Sequence, residues 1–197
     1  MRLNLKRTML ALAGVVLLGC GSVLAVLAAT PGSSIAAPDD ELSMNLSRRA
    51  STLLLEIQKE AVGLHRHAET LRTYIRSTQY SWHSHALHLD GIKNHINAVG
   101  ERTAELQRIQ NAVLPWQQQA IAEVTSHAAQ VAANTQAAIV QLRDNRNSIN
   151  DSEYRDHLTT IADRSANMKQ AVDKFLDYEK MQQRLQQLQT ELELSSD

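Results

Sequence analysis

Residues 82–113 read WHSHALHLDGIKNHINAVGERTAELQRIQNAV. Within them Trp82, His85, Leu89, Ile92, Ile96, Val99, Thr103, Leu106, Gln110 and Val113 follow one another in alternating steps of three and four. Steps averaging about 3.5 residues hold one stripe of a helix against a neighbour at a shallow angle, which is how long helices pack side by side. The same stripe runs back through Thr78, Ile75, Leu71, Ala68, Leu64 and Ala61 to Ile57. A second one joins Ile121, Val124, Ala128, Val131, Thr135, Ala138 and Leu142; a third joins Tyr154, Leu158, Ile161, Ser165, Met168, Val172 and Phe175.

The distribution of helix breakers agrees. All 7 Gly and all 3 Pro precede residue 116, and the remainder is dominated by Ala, Gln, Leu, Arg and Glu, which favour helix. An all-α fold is expected. A single Cys in 197 residues excludes a disulfide framework and a cysteine-rich zinc site.

Two stops are marked by turn chemistry. Pro115 suits the first turn of a new helix near Trp116, and NRNSINDSE (145–153) offers Asn150 as an N-cap with Glu153 three residues on. STQYS (77–81) is a weaker stop, without Gly or Pro, through which the apolar register continues. A turn there divides the body into segments of about 40, 30, 31 and 44 residues, lengths that match in an up-down-up-down bundle. The expected fold is therefore an elongated antiparallel four-helix bundle. Its alternative, with no turn, is a long-helix coiled coil that needs other chains to cover it.

The N-terminus reads as an address. Arg2, Lys6 and Arg7 precede an uncharged run from Thr8 to Thr30, long enough to cross a bilayer core of about 30 Å. A basic flank before such a run retains the N-terminus in the cytoplasm and sends the rest across. Residues 1–30 are thus expected to be a signal anchor or signal peptide, 31–39 a linker and 40–197 an extracytoplasmic helical body. The body is placed at a bacterial inner membrane by a single pass, or in the periplasm or secreted after cleavage. Leu17-Leu18-Gly19-Cys20 resembles a bacterial lipobox, which makes Cys20 a lipidation candidate and a lipoprotein the third outcome.

Charge narrows the partners. Three basic residues fall in the leader, leaving 17 basic against 21 acidic residues beyond it. No basic stripe is present, so nucleic acid is not an expected partner.

Histidine is the one enriched functional type. His85 and His88 share a helical face, His95 continues that stripe, and His67 and Tyr74 join it if the register holds. With a turn near residue 80, facing positions add to about 160, which sets His67 against the His95 region and His157 near the level of His85 and His88. His85, His88 and His157, with His67 and His95, are the candidate ligands for a transition metal such as zinc or copper; a pH-responsive layer is the other chemistry open to them. Solvated and seam positions explain the same histidines without a ligand. No HExxH, Glu-x-x-His or CxxCH spacing occurs, no phosphate loop or nucleophile elbow occurs, and no cofactor or enzymatic activity is expected.

A membrane helix feeding directly into a bundle resembles the extracytoplasmic four-helix sensor modules of bacterial transmembrane receptors. The resemblance is one of topology, and no receptor residue carries over. No returning membrane helix or output domain is expected after Leu194, so signalling would need a partner protein. The expected function is that of a membrane-tethered, non-enzymatic helical protein acting through protein contacts, including self-association, as scaffold, spacer or accessory subunit. Its alternative is a ligand- or metal-sensing bundle that uses the histidine-rich half.

Overall fold

The computed structural model describes residues 38–77 and 81–195. The leader, Cys20 and most of the expected linker lie outside the described residues. Among the described residues there is no strand, and no helix is long and apolar enough to cross a membrane.

Four helices form the body: α1 (Pro38–Tyr74), α2 (Trp82–Ile109), α3 (Pro115–Asp144) and α4 (Ser152–Leu194). They have 37, 28, 30 and 43 residues, in the order of lengths that the breakers suggest. Each helix packs against its sequence neighbour, α4 closes the ring against α1, and α1 and α3 sit on a diagonal. The chain turns back after Tyr74, so the uninterrupted helix of the coiled-coil alternative is not formed.

Cross-helix pairs show the antiparallel register. Arg102 Nε donates to Glu56 Oε2 at 2.9 Å and Arg49 Nε to Glu105 Oε1 at 2.8 Å, tying α2 to α1. Between α1 and α4, Gln58 Nε2 donates to Asp173 Oδ1 at 2.6 Å and Arg72 reaches Asp163 at 3.5 Å.

The core is built on the stripes read from the sequence, widened by Ala120 on α3 and by Ala162, Ala171 and Leu176 on α4. On α2 the buried residues are His85, Leu89, Ile92, Ile96, Val99, Thr103 and Leu106, with no insertion or skip. The core starts earlier on α1 than the sequence stripe does, at Ala50, Leu53 and Leu54. Small seam residues such as Ala61, Ala68, Ala128 and Ala138 allow close approach of the helices, so burial is reached with Phe175 as the sole Phe.

Among the buried polar residues, His85, Thr103, Gln117 and Ser165 are hydrogen-bonded, whereas the Thr135 and Ser148 hydroxyls have no partner among the described residues. Gln117, 1% exposed, donates to Ser47 O at 2.8 Å and to Ser51 Oγ at 3.0 Å, and Ser51 donates to Glu179. This network fastens the start of α3 to α1 and α4. Pro115 opens α3 as expected, with Gln117 Oε1 also accepting from Leu114 N–H at 3.1 Å.

The other stop is built differently from its sequence reading. Asn145 Oδ1 accepts from Asn147 N–H at 3.0 Å and winds Arg146–Asn150 into a 3-10 turn. Asn150 is inside that turn and does not cap α4. The extended residue before α4 is Asp151, with Glu153 in the first helical turn, where negative charge suits the helix dipole.

Candidate functional site: an imidazole and phenol ladder

Two glycines determine where the ladder forms. Gly63 on α1 and Gly91 on α2 each stand four residues before a histidine, His67 and His95. The His95 ring lies against Gly63, and the His67 ring lies against Gly91, where a Cβ would come within 2.7 Å of His67 Cε1. The exchange is reciprocal: each helix offers a gap and fills the other's. It brings the two rings to a centroid distance of 5.7 Å.

From His67 a chain of contacts leads into the core. Its Nδ1 is 2.9 Å from His88 Nδ1, and His88 Nε2 is 3.2 Å from Tyr74 Oη. The Tyr74 ring is 5.3 Å from that of His88 and 5.7 Å from that of His85. His85 Nδ1 then meets Tyr154 Oη at 3.1 Å, where His85 is 2% and Tyr154 0% exposed. At the outer end His95 Nδ1 contacts Glu60 Oε2 at 2.8 Å. Three helices therefore contribute to one run of titratable rings, from the half-buried α1–α2 flank to the fully buried Tyr154.

Hydrogen-bond logic limits the proton content of the His67–His88 pair. A neutral imidazole has one N–H and one lone pair. Where His67 Nδ1 donates, His88 carries its proton on Nε2 and donates to Tyr74; where His88 Nδ1 donates, its Nε2 accepts from the Tyr74 hydroxyl. One added proton is tolerated, because a His88 imidazolium can donate from both nitrogens. A second would place two Nδ1–H groups face to face and break the pair.

Electrostatics favours the neutral state. Burial, then the neighbouring His88, His95 and Arg66, lowers the pKa of His67 from the usual histidine value. Burial lowers that of His88. Burial, then His88, brings His85 down to about 4, and burial pushes the Tyr154 phenol up.

The sequence candidates are thus divided. His67, His85, His88 and His95 share the ladder. His157 does not: its Nδ1 donates to Asn134 Oδ1 at 2.8 Å, between α4 and α3. Among the described residues no group of three or more His, Cys, Asp or Glu is placed to hold a metal ion. Of the remaining histidines, His65 faces Ser165 at 3.4 Å, His83 stacks with Trp82, and His127 Nδ1 is buried on the α3 side without a hydrogen-bond partner. Burial lowers the pKa of His127, Arg164 adds to that, and Glu123 opposes it.

Sequence reasoning missed Gly63, Gly91, Glu60 and Tyr154 as ladder components. The available signal was the repeated Gly-x-x-x-His spacing, 63–67 and 91–95, in two helices expected to face each other.

Comparison of the chain with protein-family models, curated proteins and solved structures finds no match.

Proposed function

We propose that this chain is a non-enzymatic helical protein, tethered to a membrane through residues 1–30, that works through protein contacts made by the end of α4. One observation carries the reading. Beyond Leu176 the helix continues to Leu194 with Met181 59%, Leu185 54%, Leu188 39% and Leu192 69% exposed, at steps of four, three and four.

The ridge is open because α3 is short. Tyr178 still packs against Trp116 near the start of α3, ring centroids 5.7 Å apart, and Pro115 is the first residue of that helix. Past this level, among the described residues, every α4 side chain from Met181 to Leu194 is exposed. Heptad spacing of Leu and Met suits another helix with the same spacing.

The occupant is a second copy, running antiparallel. Leu185 then faces Leu188 of the second copy, Met181 faces Leu192, and Arg184 lies beside Glu191 on both sides of the two-fold axis. Sedimentation equilibrium of the full chain in a density-matched non-ionic detergent tests this. A concentration-dependent dimer, lost in Leu185→Gln/Leu188→Gln without loss of helicity, supports it; a monomer at every concentration rejects self-association.

A second reading, a metal-responsive bundle, has one observation in its favour. The 2.9 Å approach of His67 and His88 Nδ1 offers two imidazole ligands whose shared proton zinc or copper could replace. A ligand held by the native state must raise the melting temperature. A rise with zinc, copper or nickel that vanishes in His67→Ala/His88→Ala supports this reading; no rise at saturating metal rejects it.

A further inference from the structure

At the end of the bundle opposite the α4 ridge, the groove between α2 and α3 opens into a cavity of about 330 Å³. Its floor is apolar: Leu89 and Leu142 are buried, and Ala86 and Ile139 are half-buried beside them. Trp82 forms one wall. Its ring stacks with His83 at 3.6 Å and carries the Arg146 guanidinium 4.3 Å above its centroid.

The rim has the opposite character. Lys93 from α2 and Arg143 and Arg146 from the end of α3 and the following turn stand around the mouth with a single acid, Asp90. Arg143 pairs with Asp144 at 3.0 Å. Lys93 and Arg146 have no carboxylate partner among the described residues, and Arg146 spends its guanidinium on the indole instead. With Lys93 and Arg146 against Asp90 the rim is net positive, and an apolar floor beneath it is complementary to a molecule with one oily and one negative end.

We propose that this groove binds a small amphipathic anion, a flat hydrocarbon body bearing one carboxylate or sulfonate. The body lies over Leu89 and Leu142 against the edge of Trp82. The acid group is taken at the rim by Lys93 and by Arg146, whose planar fork can hold both oxygens of a carboxylate while remaining on the indole. The net positive rim disfavours a cation, and a neutral hydrocarbon leaves Lys93 and Arg146 unused. The site does not depend on the α4 ridge or on self-association.

Naphthalene-2-carboxylate is the probe, with naphthalene-2-carboxamide and acetate as its neutral and non-apolar counterparts. The readout is the melting temperature of the full chain in phosphatidylcholine nanodiscs, followed by circular dichroism. The carboxylate is expected to raise it in a saturable way, with an affinity about fivefold or more above that of the carboxamide, the scale of one charge-assisted hydrogen bond. Acetate is expected to leave it unchanged. Lys93→Gln/Arg146→Gln, two exposed positions, is expected to melt within a few degrees of the unaltered chain without probe, the scale of the lost Arg146–Trp82 contact, and to bring the carboxylate down to the carboxamide's affinity. No shift with the carboxylate, equal affinity of the two naphthalene probes, a shift with acetate, or an undiminished shift in the double variant overturns the proposal.

Discussion

The His67 ring of α1 occupies the space that a side chain at Gly91 of α2 would fill: a Cβ there would come within 2.7 Å of Cε1, 2.8 Å of Nε2 and 2.9 Å of Nδ1. Gly63 and His95 repeat the relationship in reverse. Glycine in a helix interior costs up to about 1 kcal/mol relative to alanine, so two such positions facing two rings trade helix propensity for interhelical fit.

Gly91→Ala therefore has two opposed effects. The methyl favours α2, while it drives the His67 ring off its seat and away from His88 Nδ1. Free of burial and of its neighbour, His67 is expected to titrate closer to the ordinary 6.5 than it does in the unaltered chain. Following its ring proton by NMR across pH decides the matter. An unchanged midpoint means that Gly91 does not seat the ring.

Stability is expected to fall as the solution is acidified from pH 6.5 towards 4. His85 has a folded pKa of about 4, below its unfolded value, so in this interval the unfolded chain binds the extra proton. The neutral form supports the fold fully above 6.5, and that support is lost as pH drops through the folded value. For His85 the loss is on the order of 3 kcal/mol, with His67 and His88 adding in the same direction. Urea unfolding at pH 7.5, 5.5 and 4.5 measures it. His85→Leu is expected to flatten the slope, and a slope as steep as before would assign it to other groups.

Tyr154→Phe removes the hydroxyl that meets His85 Nδ1 and leaves the rest of the ring in place. A buried imidazole nitrogen without its partner costs roughly 1–3 kcal/mol. The loss is expected to shrink in a His85→Leu background, where no nitrogen is orphaned. A double-mutant cycle at pH 7.5 gives the coupling; a value of zero means that the two groups do not depend on each other.

The fold was legible because the stripes read on α2, α3 and α4 are the ones buried, with Gln117 and Ala120 on α3 and Ala162, Ala171 and Leu176 on α4 added beside them, and a stripe of apolar and small residues is a property of sequence. Leu53 and Leu54 at the start of α1 were harder to place, since adjacent leucines do not fit a step of three or four. The ladder was legible in part. Antiparallel counting set His67 against α2, but the height at which two helices meet says nothing about which rings touch, and Gly63 and Gly91 decide that. His157 stands near the expected level yet bonds to Asn134, because rotation about α4 turns it to the α3 flank.

The antiparallel pairing proposed for α4 makes a charge-swap prediction that a parallel pairing does not. With Met181, Leu185, Leu188 and Leu192 as the seam, Arg184 and Glu191 both occupy the flanking position before a seam residue. In an antiparallel pair that position meets its counterpart on the second copy, so Arg184 meets Glu191 twice; in a parallel pair Arg184 meets Gln189. Arg184→Glu then sets like charges together at two places and is expected to weaken the dimer about tenfold, the scale of two exposed pairs turned repulsive. Arg184→Glu/Glu191→Arg exchanges the signs and is expected to restore it. Sedimentation at low and high salt separates the outcomes, since the weakening should fade as screening rises. A dimer insensitive to the single change would point to the parallel arrangement, and one that the double change fails to restore would place Glu191 elsewhere.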